Sequence, residues 1–121
     1  MQPCLLIFDL DGTIIDSRQD LATAVNLIRR DLGLPALPAE RVAGFVGDGA
    51  KKLLERSLRG ESADIDALAP RFYRHYREHL CDETTLYPGV AEGLAGLKEK
   101  GFLLAMISNK PSEFCCTILK H

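Results

Sequence analysis

Apolar and polar positions divide the chain into stretches of different period. Residues 5–8 (Leu5-Leu6-Ile7-Phe8) form a continuous apolar run, cut off by Asp9-Leu10-Asp11-Gly12-Thr13. Four consecutive apolar residues before a turn predict a buried strand of a parallel sheet. The period then becomes helical. Leu21, Val25, Ile28 and Leu32 recur on one helix face, with Ser17 placed as N-cap and Gly33 as the stop. A short helix is predicted over 39–46 and another over 50–58, ended by Gly60. Ile65, Leu68, Phe72, Tyr76 and Leu80 form a further stripe, and Pro70 inside it predicts a helix that begins near the proline or kinks there. Stripes of this kind must bury against one another, which predicts a small helical bundle. Val90, Leu94 and Leu97 mark one more helix, in which Gly93 and Gly96 read as sites of close packing on a sheet. Residues 102–107 form a second buried strand, ending at Ser108-Asn109-Lys110-Pro111.

Composition bounds the picture without changing it. The length of 121 residues fits one domain, and 46% hydrophobic residues are enough for a core. A net charge of −2 leaves no basic footprint for nucleic acid. No apolar run reaches the roughly 20 residues of a membrane span, so no membrane partner is expected. Met1-Gln2-Pro3-Cys4 leads into the first strand without a charged leader region, which places the chain in the cytoplasm by default. Of the four cysteines, Cys115 and Cys116 are adjacent and Cys4 and Cys81 stand alone. That spacing matches no metal or redox motif and reads as reduced thiols.

The chemistry concentrates at Asp9 and Asp11. Ligands of parallel sheets sit off the carboxyl ends of the strands, and one intervening residue points both carboxylates the same way. Two like charges so close need a cation or a shared proton, and a divalent metal with an anionic substrate supplies that relief. A carboxylate can attack phosphorus, a neighbouring acid can serve the leaving oxygen, and Mg²⁺ can neutralise the developing charge. Helix-capping or turn aspartates are the plainer alternative. A calcium loop of the EF-hand type fails on spacing, because Gly12 is too early and Asp20 stands where a glutamate is required. Gly44–Lys52 is a near miss to a phosphate-binding P-loop, with Ala50 in place of the lysine, and is rejected. His75 and His79 have metal-ligand spacing but no third ligand, and with the Arg-rich 71–77 stretch they read as a solvated helix face.

Asp9-Leu10-Asp11-Gly12-Thr13 after a buried strand resembles the first motif of the haloacid dehalogenase superfamily, in its phosphatase branch. The resemblance implies an α/β, Rossmann-like core over 1–16 and 85–121, with an all-α helical cap inserted over 17–84. It implies Asp9 as nucleophile and Asp11 as general acid/base, both on the Mg²⁺ side of the site. True dehalogenases lack the second aspartate. Ser108 maps to the second motif, a phosphate-binding hydroxyl beside the amides of a helix start, and Thr13, Asn109 and Lys110 are placed with it around the phosphate. The turn Gly47-Asp48-Gly49 maps to a cap turn that selects substrate. Leu34-Pro35-Ala36-Leu37-Pro38, that turn and Tyr87-Pro88-Gly89-Val90 look most similar to the phosphoglycolate phosphatase group. The implied reaction is hydrolysis of 2-phosphoglycolate, a small phosphorylated metabolite. Another small phosphomonoesterase, a pyrophosphatase or a non-catalytic fragment are the alternatives.

Two further family motifs, a lysine and a pair of acids that completes the Mg²⁺ site, have no counterpart here. After Ser108 the acids and lysines are Glu113, Lys110 and Lys120. The core is therefore expected to be incomplete, through truncation or because a partner completes it. Its first strand would then offer an apolar edge for self-association.

Overall fold

A computed structural model of the chain describes residues 5–108 together with Lys110, Glu113, Phe114 and Ile118. Its elements run β1 (Leu5–Asp9), β2 (Ile15–Asp16), α1 (Arg18–Asp31), α2 (Ala39–Ala43), α3 (Ala50–Ser57), α4 (Ile65–Glu78), β3 (Thr85–Leu86), α5 (Val90–Glu99) and β4 (Leu103–Ile107). Strands β1 and β4 pair in parallel, with Leu5 opposite Leu103 and Asp9 opposite Ile107. Strands β2 and β3 form a separate antiparallel ribbon, Ile15 opposite Leu86 and Asp16 opposite Thr85. The four helices α1–α4 leave and return through that ribbon. Two-residue strands carry no readable periodicity, and the sequence pattern does not reveal them.

The helices hold most of the core. Val25, Ile28, Leu54, Phe72 and Tyr76 are buried among them, and Leu10 and Ile14 join from the loop after β1, with Ile15 from β2. Complete burial of side chains of this size stabilises by roughly 1.5–3 kcal/mol each. Helix α1 stops at a Schellman motif: Gly33, at φ 75°, lets its own amide reach Arg30 O and the Leu34 amide reach Arg29 O. The buried Arg29 donates to Pro35 O and to Ser57 O, both at 2.7 Å. Asn26 exchanges two hydrogen bonds with the Leu37 backbone. The proline-rich connection 34–38 is thereby tied to α1. His75 Nε2 lies 2.9 Å from Asp31 Oδ2, linking α4 to α1, and holds that carboxyl below the usual carboxylate range.

Several expectations are corrected. Helix α4 does not start at the proline: it begins at Ile65, where Asp64 caps it by accepting the Ala67 amide, and it holds the exposed Pro70 inside, as the kink alternative allows. Helix α2 ends at Ala43 instead of reaching 46. Among the described residues, a Cβ on Gly93 or Gly96 would meet nothing within 4 Å, so these glycines mark no close packing there.

The largest correction concerns the strands, which are not buried. Leu5, Ile7 and Leu103 are each more than half exposed, and α5 has no buried residue. Alternate residues of a strand point to opposite faces. Here Phe8 and Met106 pack against the core on one face, while Leu5, Ile7 and Leu103 lie on the uncovered one. An all-apolar strand sequence reports that both faces can be buried; what buries them must come from elsewhere. No helix among the described residues is long and apolar enough to cross a membrane. Cys81 is a free, half-buried thiol whose pKa is pushed up by burial; Cys4, Cys115 and Cys116 lie outside the described residues.

Candidate active site

The loop after β1 is wound around one carbonyl. The amides of Thr13, Ile14 and Ile15 all donate to Leu10 O, at 3.3, 3.0 and 3.1 Å. Leu10 itself is fully buried and anchors the turn. Gly12 supplies the left-handed conformation, φ 81°, that lets the chain reverse, a conformation other residues rarely adopt. With Leu10 turned inward, Asp9 and Asp11 both line one cleft. The Leu10 amide donates to Asp9 Oδ1 at 2.9 Å and orients that carboxylate.

From the end of β4 come Ser108 and Lys110, which line the same cleft. The Lys110 amide donates to Ser108 Oγ at 3.1 Å. Its ammonium donates to Asp11 Oδ1 at 2.8 Å, with the lysine side chain only 4% exposed. Ser17 Oγ donates to the same carboxylate oxygen at 2.5 Å. Asp11 is thus gripped from two sides.

Helices form the opposite wall. Leu21, Leu53, Phe72, Tyr73 and Tyr76 line it, with Gly47, Gly49 and Ala50 at the turn into α3. The whole cleft encloses about 560 Å³, open mouth included. Tyr76 stacks on Phe72 and meets Phe114 edge-on, with centroids 6.0 and 5.5 Å apart. Its phenol oxygen accepts a hydrogen bond from Lys110 Nζ.

The structure therefore brings Asp9, Asp11, Ser108, Lys110, Gly47 and Gly49 to one cleft. It does not bring Thr13 there: that residue is exposed and absent from the lining. Asp48 points elsewhere and pairs with Arg56 Nη2 at 2.6 Å, while the same guanidinium donates to Phe45 O and braces the turn. Asn109 lies outside the described residues. Ser17 stands at the N-cap position of α1 but makes no capping hydrogen bond; its hydroxyl donates to Asp11. Asp16, one residue earlier, is held by Arg18 at 2.7 and 2.8 Å; that bond lowers its pKa and keeps its charge out of the cleft. Sequence reasoning missed the site roles of Ser17 and Tyr76, since a Ser before a helix and a Tyr on an apolar stripe have simpler explanations.

Carboxylate oxygens are hard ligands of the kind Mg²⁺ takes, and Mg²⁺ is commonly held by one or two carboxylates together with substrate phosphate and water. Asp9 and Asp11 fit that requirement. No cluster of three or more His, Cys, Asp or Glu with metal-holding geometry exists among the described residues.

Known proteins match this arrangement along nearly its whole length. A phosphoglycolate phosphatase of Chromobacterium violaceum is 50% identical over 120 residues, covering 94% of this chain and 54% of its own length. One from Colwellia psychrerythraea is 45% identical over 124 residues, covering 95% of this chain and 54% of the relative. The crystal structure of a predicted phosphoglycolate phosphatase from Haemophilus somnus superposes with a TM-score of 0.88 at 34% identity, over 99% of this chain and 57% of that one. The chain spans about half the length of the curated relatives it matches. Its residues 6–121, from the first strand past the Ser108 turn, match the family of haloacid dehalogenase-like hydrolases, and the chain belongs to that family.

Proposed function

We propose that this chain carries the nucleophile half of a phosphomonoesterase site acting on a small phosphorylated metabolite, with 2-phosphoglycolate as the substrate. One observation carries the reading: Asp9, Asp11, Ser108 and Lys110, from two strand ends, share a cleft roofed by helices. An oxygen of Asp9 attacks phosphorus, and the bond from phosphorus to the glycolate oxygen breaks. Asp11 gives its proton to that oxygen. A water then loses a proton to Asp11 and attacks phosphorus, releasing phosphate and restoring the Asp9 carboxylate. Ser108 donates a neutral hydrogen bond to the phosphoryl group, and Lys110 supplies positive charge beside it. Asp9 and the region of Asp11 would hold Mg²⁺, which would supply positive charge against the charge that develops on the phosphoryl group. Helices α1–α4 act as the cap, and the Gly47–Gly49 turn screens the substrate. The names of the curated relatives support this substrate.

Rapid-quench assays of the chain with 2-phosphoglycolate and Mg²⁺ test the reading. Phosphate release and a trapped acyl-phosphate are expected, and Asp9→Asn should remove both. Near-normal turnover by Asp9→Asn would refute the nucleophile assignment. A second reading, phosphate binding without turnover, is favoured by the lack of a third acid at the carboxylate pair among the described residues. Saturable phosphate binding with no release of product would select it.

A further inference from the structure

We propose that Tyr76 is a positioning residue for Lys110, through which helix α4 sets where the site's ammonium sits. The inference rests on the phosphate-cleft reading for its meaning, though not for its test. A lysine head group on a four-carbon stem is mobile in water. Here it is confined on two sides. Lys110 Nζ donates to Asp11 Oδ1 at 2.8 Å and to the Tyr76 phenol oxygen, and it lies 4.7 Å from the centroid of the Tyr76 ring. The ring is itself immobilised, 1% exposed and packed between Phe72 and Phe114.

The chain origin of these groups gives the contact its consequence. Asp11 and Lys110 follow β1 and β4, whereas Tyr76 belongs to α4. A buried tyrosine hydroxyl needs a partner, and among the described residues it meets the charged group of the cleft. Any displacement of α4 from the strand ends removes the phenol contact of the ammonium. The helical wall and the charge at Asp11 are therefore coupled through this phenol. The packing of the ring alone, against Phe72 and Phe114, does not require the hydroxyl.

Tyr76→Phe separates the two roles, because it keeps the ring and deletes the oxygen. In ¹⁵N-labelled 121-residue chain, Lys110 should give an Nζ–Hζ correlation at neutral pH, assigned by its loss in Lys110→Gln. Its protons should exchange more slowly than those of the exposed Lys98 and Lys100. In Tyr76→Phe that exchange should accelerate about tenfold or more, the scale of a lost hydrogen bond to a charged group, while α4 backbone amides keep their protection. Unchanged Lys110 exchange in Tyr76→Phe would overturn the proposal, as would wild-type exchange as fast as that of Lys98. In the unaltered chain, an NOE from Lys110 Hζ to the Tyr76 ring protons is also expected. Its absence would overturn the contact even if Tyr76→Phe failed to fold. Turnover of 2-phosphoglycolate is measured separately. A KM raised more than kcat is lowered supports positioning, and no turnover by the unaltered chain counts against the phosphatase reading, leaving the exchange data to decide on Tyr76.

Discussion

Asp20 and Thr84 lie 64 residues apart and meet at 2.6 Å, the threonine hydroxyl donating to Asp20 Oδ2. The Glu83 amide donates to both oxygens of the same carboxylate at 3.0 Å. Asp20 is 1% exposed and sits in the first turn of α1; Thr84 immediately precedes β3. The two crossings between helices and strands are thereby tied at one buried carboxylate.

Asp20→Ala is expected to destabilise the chain by about 3 kcal/mol, since it removes the buried carboxylate that accepts from the Glu83 amide and the Thr84 hydroxyl. Urea denaturation followed by circular dichroism measures it. Asp20→Asn keeps an acceptor oxygen and should lose clearly less. Equal losses for the two variants would show that the carboxylate's hydrogen bonds are not what holds the crossing.

The Asp31–His75 pair sets a pH dependence with a definite sign. The hydrogen bond from His75 lowers the folded-state pKa of Asp31. Its contribution is therefore complete above the unfolded carboxylate value, about 3.9, and is lost as pH falls through the lower folded value. His75→Ala should lower the melting temperature at neutral pH by a few degrees at most, as expected of a partly exposed pair. The difference from wild type should shrink in strongly acidic buffer. A difference that grows there instead would reverse the assignment.

Leu5, Ile7 and Leu103, at 57%, 54% and 56% exposure, lie on the uncovered face of a two-stranded sheet. Exposed apolar surfaces on short sheets recruit other chains. The chain is expected to self-associate, with light-scattering mass rising as concentration rises. Ile7→Lys puts a charge in the middle of that face and should shift the population toward monomer. A monomeric mass at every concentration would show that the face does not mediate association.

Some of this protein was legible from residue order because the physics involved is local. Helical stripes such as Leu21, Val25 and Ile28 disclose themselves through a 3.6-residue period, and Gly33 ends α1 because its backbone can turn left-handed. The carboxylates of Asp9 and Asp11 read as a site because two like charges so close at a strand's end require an explanation in chemistry. Tertiary structure decided what depends on partners far apart in the chain. Whether Leu5 and Ile7 are buried is a property of the neighbours that pack on them, and the run of apolar residues could not reveal that one face stays open. The hydroxyl of Ser17 could accept from a helix amide as an N-cap or donate to a carboxylate, and only the fold brought Asp11 within 2.5 Å. Tyr76 appeared on the same apolar stripe as Phe72, and periodicity reports which face a side chain is on, not what its polar end touches. Its hydroxyl meets Lys110, from the turn after β4, through packing across 34 residues of chain.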